Sequence, residues 1–199
     1  MIPDDFRFIE IEHKFIVPDG FDDGRLRRVL AELGPTRTNR IRVRDRYYLT
    51  AQGAVRGFVL RHRFDEELQQ LTLKSLGGDT EVRDEVNLEL GGRHGHKDQA
   101  PQVESFVERL GLVWNGTIHK DVEVWYYPEC EVVRYEASTE THRITCVEFE
   151  ALQKDSVEGA LETLERFERA TGFLGQSRSH LSLPQLLFPE FAAATARRA

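Results

Sequence analysis

Acidic side chains recur at every second position near both ends of the sequence. Glu10 and Glu12 alternate with Ile9 and Ile11, and a second pair lies in the segment CVEFEAL that begins at Cys146. Because successive side chains of a β-strand point to opposite faces, the members of each pair share one face. Neighbouring carboxylates repel one another unless a cation lies between them, and their oxygens suit Mg²⁺ or Mn²⁺. The spacing therefore predicts a divalent-metal site formed by Glu10, Glu12, Glu148 and Glu150.

Basic side chains occupy the same kind of position in segments nearer the middle of the chain. They lie on single faces of FVLRHR, LTLKS and EVRDEVNLEL, and one follows the first acidic pair: Lys14, Arg61, Arg63, Lys74 and Arg83. The planar fork of arginine matches phosphate oxygens. Clustered carboxylates beside clustered bases are suited to a metal-chelated polyphosphate.

The same charges have a simpler interpretation, as salt-bridge partners or as the solvated face of an open sheet. Arg42, Arg44 and Arg46 alternate with Ile41 and Val43, so they either extend a basic lining or lie on a solvated strand. A closed or nearly closed barrel would instead turn the charged faces inward and let helices cover the apolar outside. We favour the barrel, because arginine is concentrated in the middle strands whereas the glutamate pairs lie in the first and last strands.

Strands outnumber helices in the pattern of the chain. Strict alternation predicts strands from Ile9, Phe58, Leu71, Glu81 and Cys146, and Gly77-Gly78-Asp79 predicts an antiparallel hairpin. Helical spacing predicts helices over 21–33, 103–110 and 157–170, and a loop over 91–102 divides the chain. We predict an α+β fold that forms a single antiparallel β-rich domain over residues 1–190, with a disordered tail over 191–199.

Composition limits the classes of function. The chain has 199 residues and a formal net charge of −7, which argues against general binding of nucleic acid. It lacks an apolar run long enough to span a membrane, and its start, MIPDDFRFIEIE, lacks the features of a secretory signal, so we expect a cytoplasmic protein. Two cysteines are too few for a disulfide framework, and His94 and His96 have no third zinc ligand at suitable spacing.

Several motifs recur in an order typical of a known family. Glu10 to Lys14 has the form ExExK, and it is followed by DRYYLT from Asp45, Leu60-Arg61-His62-Arg63, Leu73-Lys74, Arg83-Asp84-Glu85, Lys120, Glu148-Phe149-Glu150 and Ser179-His180-Leu181. In these motifs the chain resembles the CYTH domain of the triphosphate tunnel metalloenzymes. ExExK alone is short, but the ordered agreement of so many segments is specific.

The resemblance implies an eight-stranded antiparallel β-barrel with helices packed outside, whose acidic residues bind Mg²⁺ or Mn²⁺ and whose basic residues bind a triphosphate. It adds Lys120 to the substrate-binding set. We also assign Arg134 to that set, and we assign catalytic roles to Glu85, chosen among several acids as proton acceptor, and to Lys14. The family often has Lys-x-Arg where this chain has Lys120-Asp121-Val122, and in the next strand, where the family expects Asp, the nearest acidic residue is Glu136.

We therefore expect a metal-dependent hydrolase of a small triphosphate, such as inorganic tripolyphosphate. The alternatives are a class IV-type adenylate cyclase, which converts ATP to cyclic AMP and pyrophosphate, and a non-catalytic polyphosphate-binding module. Because triphosphate hydrolysis occurs in several branches of the family and cyclisation in one, we expect tripolyphosphate to be cleaved faster than ATP is converted. The sequence leaves open whether the chain forms a homodimer.

Overall fold

The computed structural model describes residues 9–76, 82–91, 97–152 and 156–195. Eight strands lie in these ranges: β1 (Ile9–Ile16), β2 (Arg37–Thr50), β3 (Phe58–Phe64), β4 (Gln69–Ser75), β5 (Val82–Gly91), β6 (Leu112–Tyr126), β7 (Cys130–Ser138) and β8 (Arg143–Ala151). The helices in the same ranges are α1 (Asp23–Glu32), α2 (Ala51–Arg56), α3 (Ala100–Arg109), α4 (Val157–Thr171), α5 (Leu183–Leu187) and α6 (Pro189–Thr195).

The strands form a closed barrel in the order β1-β5-β4-β3-β2-β6-β7-β8. Each neighbouring pair is antiparallel. β1 closes the barrel, because its first residues pair with β5 and the residues from Glu12 onward pair with β8. The predicted fold, an eight-stranded antiparallel barrel with helices outside it, is confirmed.

The side chains of β1 show why the charged faces turn inward. Ile11 and Phe15, on the outer face, are almost fully buried in a cluster with Leu164 and Phe167 of α4. Burial of this apolar face beneath an amphipathic helix favours the arrangement. Because strand side chains alternate, the same packing directs the charged residues of β1 into the lumen.

The three predicted helices correspond to α1, α3 and α4. α3 begins at Ala100, so it includes the last residues of the predicted loop over 91–102. The predicted turn at 77–79 and the two loop histidines at 94 and 96 lie outside the described residues, although β4 and β5 do pair antiparallel as the turn requires. None of the helices in the described ranges is both long and apolar enough to cross a membrane.

The C-terminal segment differs from the prediction of a disordered tail over 191–199. Residues up to Thr195 belong to α6, and residues 196–199 lie outside the described part of the chain. Phe191 is fully buried and its ring centroid lies 4.6 Å from that of Trp114. The prediction of disorder rested on the alanine-rich composition and did not allow for Phe191, whose ring packs the helix against β6.

Candidate active site

The barrel encloses a cavity of about 330 Å³ that carries most of the predicted site residues. The cavity is lined by eleven of them: Glu10, Glu12, Lys14, Arg61, Arg63, Lys74, Arg83, Glu85, Lys120, Glu148 and Glu150. They come from β1, β3, β4, β5, β6 and β8, so barrel closure brings together residues far apart in sequence. The alternative of a solvated, open charged sheet is therefore wrong for these strands.

Acids and bases of the lumen form a connected network. Lys74 Nζ lies 3.0 Å from Glu10 Oε1 and 2.8 Å from Glu85 Oε2. Lys14 Nζ lies 3.2 Å from Glu12 Oε1 and 3.0 Å from Glu148 Oε1. Buried charges are costly unless they are paired, and these contacts provide the pairing.

Glu10 and Glu12 differ in electrostatics although they share one strand face. Burial would raise the pKa of Glu12, but the positive charges of Lys14, Lys74 and Arg83 outweigh it and lower the pKa to about 2. Burial and the negative charge of Glu12 raise the pKa of Glu10 to about 7, because Lys74 compensates only in part. Glu10 therefore takes up a proton more readily than Glu12.

The oxygens of the four predicted ligands have the chemistry that a divalent cation requires. Among the described residues, Oε2 of Glu10 is buried without a hydrogen-bond partner. Glu12 on β1 is the direct cross-strand partner of Glu150 on β8, and Lys14 is the partner of Glu148, so the two acidic motifs lie side by side. Within the described ranges no three acidic, His or Cys side chains already converge as a metal site. Glu10, Glu12 and Glu148 instead contact the ammonium groups of Lys74 and Lys14.

Asp45 lies at the centre of a second charge cluster that the sequence-based prediction missed. Its fully buried carboxylate pairs with Arg63 of β3, and Lys120 Nζ of β6 lies 2.6 Å from its Oδ2. Burial would raise the pKa of Asp45, but Arg63 and Lys120 hold it well below its usual range. The sequence did indicate that Asp45 faces inward, because the alternation of β2 places it on the same face as the apolar residues Val43 and Tyr47.

Lys120 is an unusual lumen base. Burial and the nearby charge of Arg63 lower its pKa to about 8, although Asp45 acts in the opposite direction. Its Nζ also lies 5.4 Å from the centroid of the Tyr135 ring. Lys120 therefore changes charge close to neutral pH, unlike Lys14 and Lys74, whose pKa values are raised because nearby glutamates outweigh their burial.

The assignment of Arg134 to the substrate-binding set is wrong. Arg134 lies on the outer face of β7, where its Nε and Nη2 donate to Asp23 of α1 at 3.0 and 2.8 Å. The inward residues of β7 are Glu131, Val133 and Tyr135. The assignment assumed that the charged residue of β7 faces the lumen. The packing of α1 against the barrel instead places Arg134 on the outside.

The arginines of β2 also lie outside the lumen. Arg42 pairs with Asp121, Arg44 with Asp98 and Arg46 with Glu104. Of the two interpretations left open for them, the solvated strand is the one that the structure supports.

Tyr135 is a further lumen residue that the sequence-based prediction missed. Its hydroxyl donates a hydrogen bond of 2.7 Å to Glu148 Oε1, which Lys14 also contacts. Burial raises the pKa of Tyr135 well above its usual value, so the hydroxyl remains a donor. Tyr135 thereby fixes the position of a predicted metal ligand.

The C-terminal segment covers one end of the barrel. Ser182, Leu183 and Pro184 line the cavity, and the backbone N–H of Ser179 donates to the carbonyl oxygen of Lys14 at 2.7 Å. Arg83 Nη2 donates to the carbonyl oxygen of His180 at 3.0 Å. The segment is thus attached to two strands that carry predicted site residues.

Comparisons with known proteins agree with this geometry. The sequence model of the CYTH domain matches residues 9–180. No curated protein sequence is similar enough to this chain to count as a match.

Three solved structures are similar in fold. The PH1012 protein of Pyrococcus horikoshii has a TM-score of 0.70 at 18% identity, with 89% of this chain and 99% of that chain covered. A conserved hypothetical protein of Pyrococcus furiosus has a TM-score of 0.69 at 22% identity and the same coverage. A protein of Vibrio parahaemolyticus named for a presumed adenylate cyclase activity has a TM-score of 0.64 at 14% identity, with 94% of this chain and 98% of that chain covered. At these identities the likeness establishes the fold alone.

Proposed function

The chain belongs to the CYTH domain family, and on this premise we propose that it is a divalent-metal-dependent hydrolase that cleaves a small triphosphate inside the barrel. The observation that carries the proposal is the composition of one closed lumen. Six bases line it, Lys14, Arg61, Arg63, Lys74, Arg83 and Lys120, beside the acidic pairs of β1 and β8. A ligand that satisfies both sets carries several negative charges and a cation.

The bases retain hydrogen-bonding capacity for such a ligand. Within the described part of the chain, the Nε groups of Arg61 and Arg83 are buried without a hydrogen-bond partner. A buried N–H without an acceptor costs about 1–3 kcal/mol, which a phosphate oxygen in its place would recover. Arg61 and Arg83 are therefore the first groups that we assign to the phosphates.

Glu10, Glu12, Glu148 and Glu150 are the residues that would hold the metal. When bound, a Mg²⁺ or Mn²⁺ ion neutralises charge on the phosphates and orients a water for attack. In the structure Glu12 and Glu148 contact Lys14, and Glu10 contacts Lys74. Metal binding to the acids would thus free these bases to contact phosphate.

Two residues remain candidates for a direct role in the chemistry. Glu85 Oε2 lies 2.8 Å from Lys74 Nζ. Burial would raise the pKa of Glu85, but the positive charges of Lys74 and Arg61 hold it below its usual range. An ionised Glu85 accepts a hydrogen bond from water and orients it, but it is a weak base. Lys14 stays positively charged, which suits it to stabilise the charge that develops on the terminal phosphoryl group.

The test is to incubate the pure protein with tripolyphosphate, thiamine triphosphate and ATP, each with Mg²⁺ or Mn²⁺, and to resolve the products. We expect phosphate together with pyrophosphate or the corresponding diphosphate. Cyclic AMP and pyrophosphate as the dominant products from ATP would replace hydrolysis by cyclisation. Tight binding of all three compounds without turnover would indicate the non-catalytic binding module.

A further inference from the structure

A second group of charged residues lies outside the barrel, between β1, α4 and the chain that follows α4. His13 stands on β1 between Glu12 and Lys14, but its side chain lies on the outer face of the strand and is almost fully buried. Its Nδ1 contacts Oε1 of Glu168 on α4, and Arg178 Nη2 donates to Oε2 of the same carboxylate at 3.0 Å. We call His13, Glu168 and Arg178 the outer cluster, because none of the three lines the lumen.

Glu168 is an unusual residue for its position. It belongs to the buried face of α4 together with Leu164 and Phe167, and its side chain has no exposure to solvent. A buried carboxylate loses its hydration, which ionic partners recover only in part, whereas an apolar side chain of similar size would pack there without that cost. Packing alone therefore does not account for a carboxylate here, but its contacts hold two segments of the chain in a defined relation.

Glu168 determines how the chain leaves α4. Its backbone carbonyl oxygen accepts hydrogen bonds from the N–H of Gly172, which ends the helix in the left-handed conformation, and from the N–H of Phe173 at 2.7 Å. Its side-chain carboxylate holds Arg178, ten residues further along the chain. Both ends of the connection over 172–178 are thus attached to one residue.

Two contacts with the site follow directly after Arg178. The N–H of Ser179 donates to the backbone carbonyl oxygen of Lys14 at 2.7 Å. The carbonyl oxygen of His180 accepts from Arg83 Nη2 at 3.0 Å. Because these three residues of the connection are consecutive, the position of Arg178 limits where the two backbone groups can lie. A line of contacts therefore runs from the outer cluster to a base of the lumen.

Arg83 is the base at the end of this line. Its buried guanidinium is held at two points, with Nη1 donating to Glu12 at 3.0 Å and Nη2 to the carbonyl oxygen of His180. The carbonyl group is neutral, so it orients the guanidinium without cancelling its charge. Among the described residues, Nε of Arg83 is buried without a hydrogen-bond partner. Since a guanidinium donates along fixed directions, its orientation decides whether this N–H reaches a phosphate oxygen.

We propose that Glu168 and Arg178 are positioning residues of the active site: they hold the backbone after Arg178 in place, and this backbone orients Arg83 toward the phosphates. The inference rests on the proposed function, because it requires that Arg83 binds phosphate. Neither positioning residue lines the lumen, so their effect on a substrate passes through the backbone of Ser179 and His180.

The experiment compares the wild type with Arg178→Met and Arg178→Lys, using tripolyphosphate and Mg²⁺. Arg178 is the residue to change, because its side chain is 25% exposed and Glu168 keeps His13 as a partner in both variants. We expect Arg178→Met to raise KM about tenfold and to leave kcat within about twofold, since loss of a contact made equally in the ground and transition states changes KM alone. Arg178→Lys keeps a cation for Glu168 and should restore most of the loss. Arg169→Met is the matched control, because Arg169 is an exposed arginine on α4.

A double-mutant cycle separates positioning from a loss of stability. If Arg178 acts through Arg83, Arg178→Met should weaken substrate binding no further when Arg83 is already replaced by alanine. An effect of equal size in the presence and absence of Arg83 would overturn the inference. A fall in kcat at unchanged KM would also overturn it, because that is the result of a smaller folded fraction.

Failure of the proposed function gives a different result. A wild type that neither binds nor cleaves any of the triphosphates rejects the proposed function itself. Hydrogen exchange then tests the outer cluster without a ligand. Faster exchange of the Ser179 amide in Arg178→Met than in the wild type and in Arg169→Met would support the positioning of this backbone. Equal exchange in all three proteins would reject it.

Discussion

The carboxylate of Asp45 accepts hydrogen bonds from both Nε and Nη2 of Arg63, at 2.9 and 3.0 Å. Lys120 contacts the same carboxylate. One buried anion therefore holds two cations beside the predicted phosphate site, and it determines which N–H groups of Arg63 remain for a substrate.

Asp45→Asn should destabilise the protein by about 3–5 kcal/mol, because it leaves the Arg63 guanidinium without its buried counter-ion and removes the charge that keeps Lys120 protonated. Urea unfolding at pH 7 measures the loss. Asp121→Asn is the control, because its partner Arg42 is 90% exposed and the expected change is below about 1 kcal/mol. Addition of tripolyphosphate should stabilise Asp45→Asn more than the wild type, since the anion replaces the lost charge. Equal stabilisation of both proteins would contradict the assignment.

Activity should depend on added divalent cation, and Glu148→Gln should lose about a hundredfold or more of the metal-supported turnover, because a bound metal contributes several kcal/mol to phosphoryl transfer. The measurement is phosphate release against Mg²⁺ and Mn²⁺ concentration. Glu136→Gln, in the outer ion pair with Arg143, should behave as the wild type. Full activity in excess chelator would disprove the metal site.

Lys74→Ala and Arg63→Ala should each weaken binding of the triphosphate about ten- to a hundredfold. This corresponds to about 1.5–3 kcal/mol for a charge-assisted contact to phosphate. Steady-state KM and direct titration measure the change. Arg134→Ala tests the corrected assignment: because Arg134 pairs with Asp23 outside the barrel, its KM should not change. A loss equal to that of Lys74→Ala would return Arg134 to the site.

The lowered pKa of Lys120 predicts a pH dependence of substrate capture. Lys120 is a cation below about pH 8 and neutral above it, in surroundings that include Asp45, Arg61 and Arg63. kcat/KM reports the free enzyme, so it should fall as pH rises through about 8. A bound phosphate raises the pKa of Lys120, so kcat should persist to higher pH. Lys120→Arg should remove the decline in kcat/KM, because arginine stays charged. An unchanged decline in that variant would assign it to another group.

Much of the site was predictable because strand alternation is a local property. The charges of β1, β3, β4, β5 and β8 were assigned to one face of each strand from sequence, and these faces are turned into the lumen. The ordered motifs also indicated the family and with it the number of strands. Neither inference required knowledge of which strands are neighbours.

The faces of β2 and β7 were not predictable in the same way. Alternation shows that Arg44 and Asp45 lie on opposite faces, and likewise Arg134 and Tyr135, but it does not say which face is inside. In the structure Asp45 and Tyr135 point inward, and the arginines pair with Asp98 and Asp23 outside. The inward residues were missed because valine and isoleucine share these faces with them, so that the faces resemble an ordinary core.

The cross-strand relationships were also decided by the tertiary structure alone. Glu12 opposes Glu150 across β1 and β8, although the two positions are far apart in the sequence. The sequence determined which side chains share a face of a strand, since that depends only on the two-residue repeat of the backbone. The tertiary structure decided which faces meet and which enclose the lumen, because closure and register are set by pairing between distant strands and by the helices that bury the outer apolar surface.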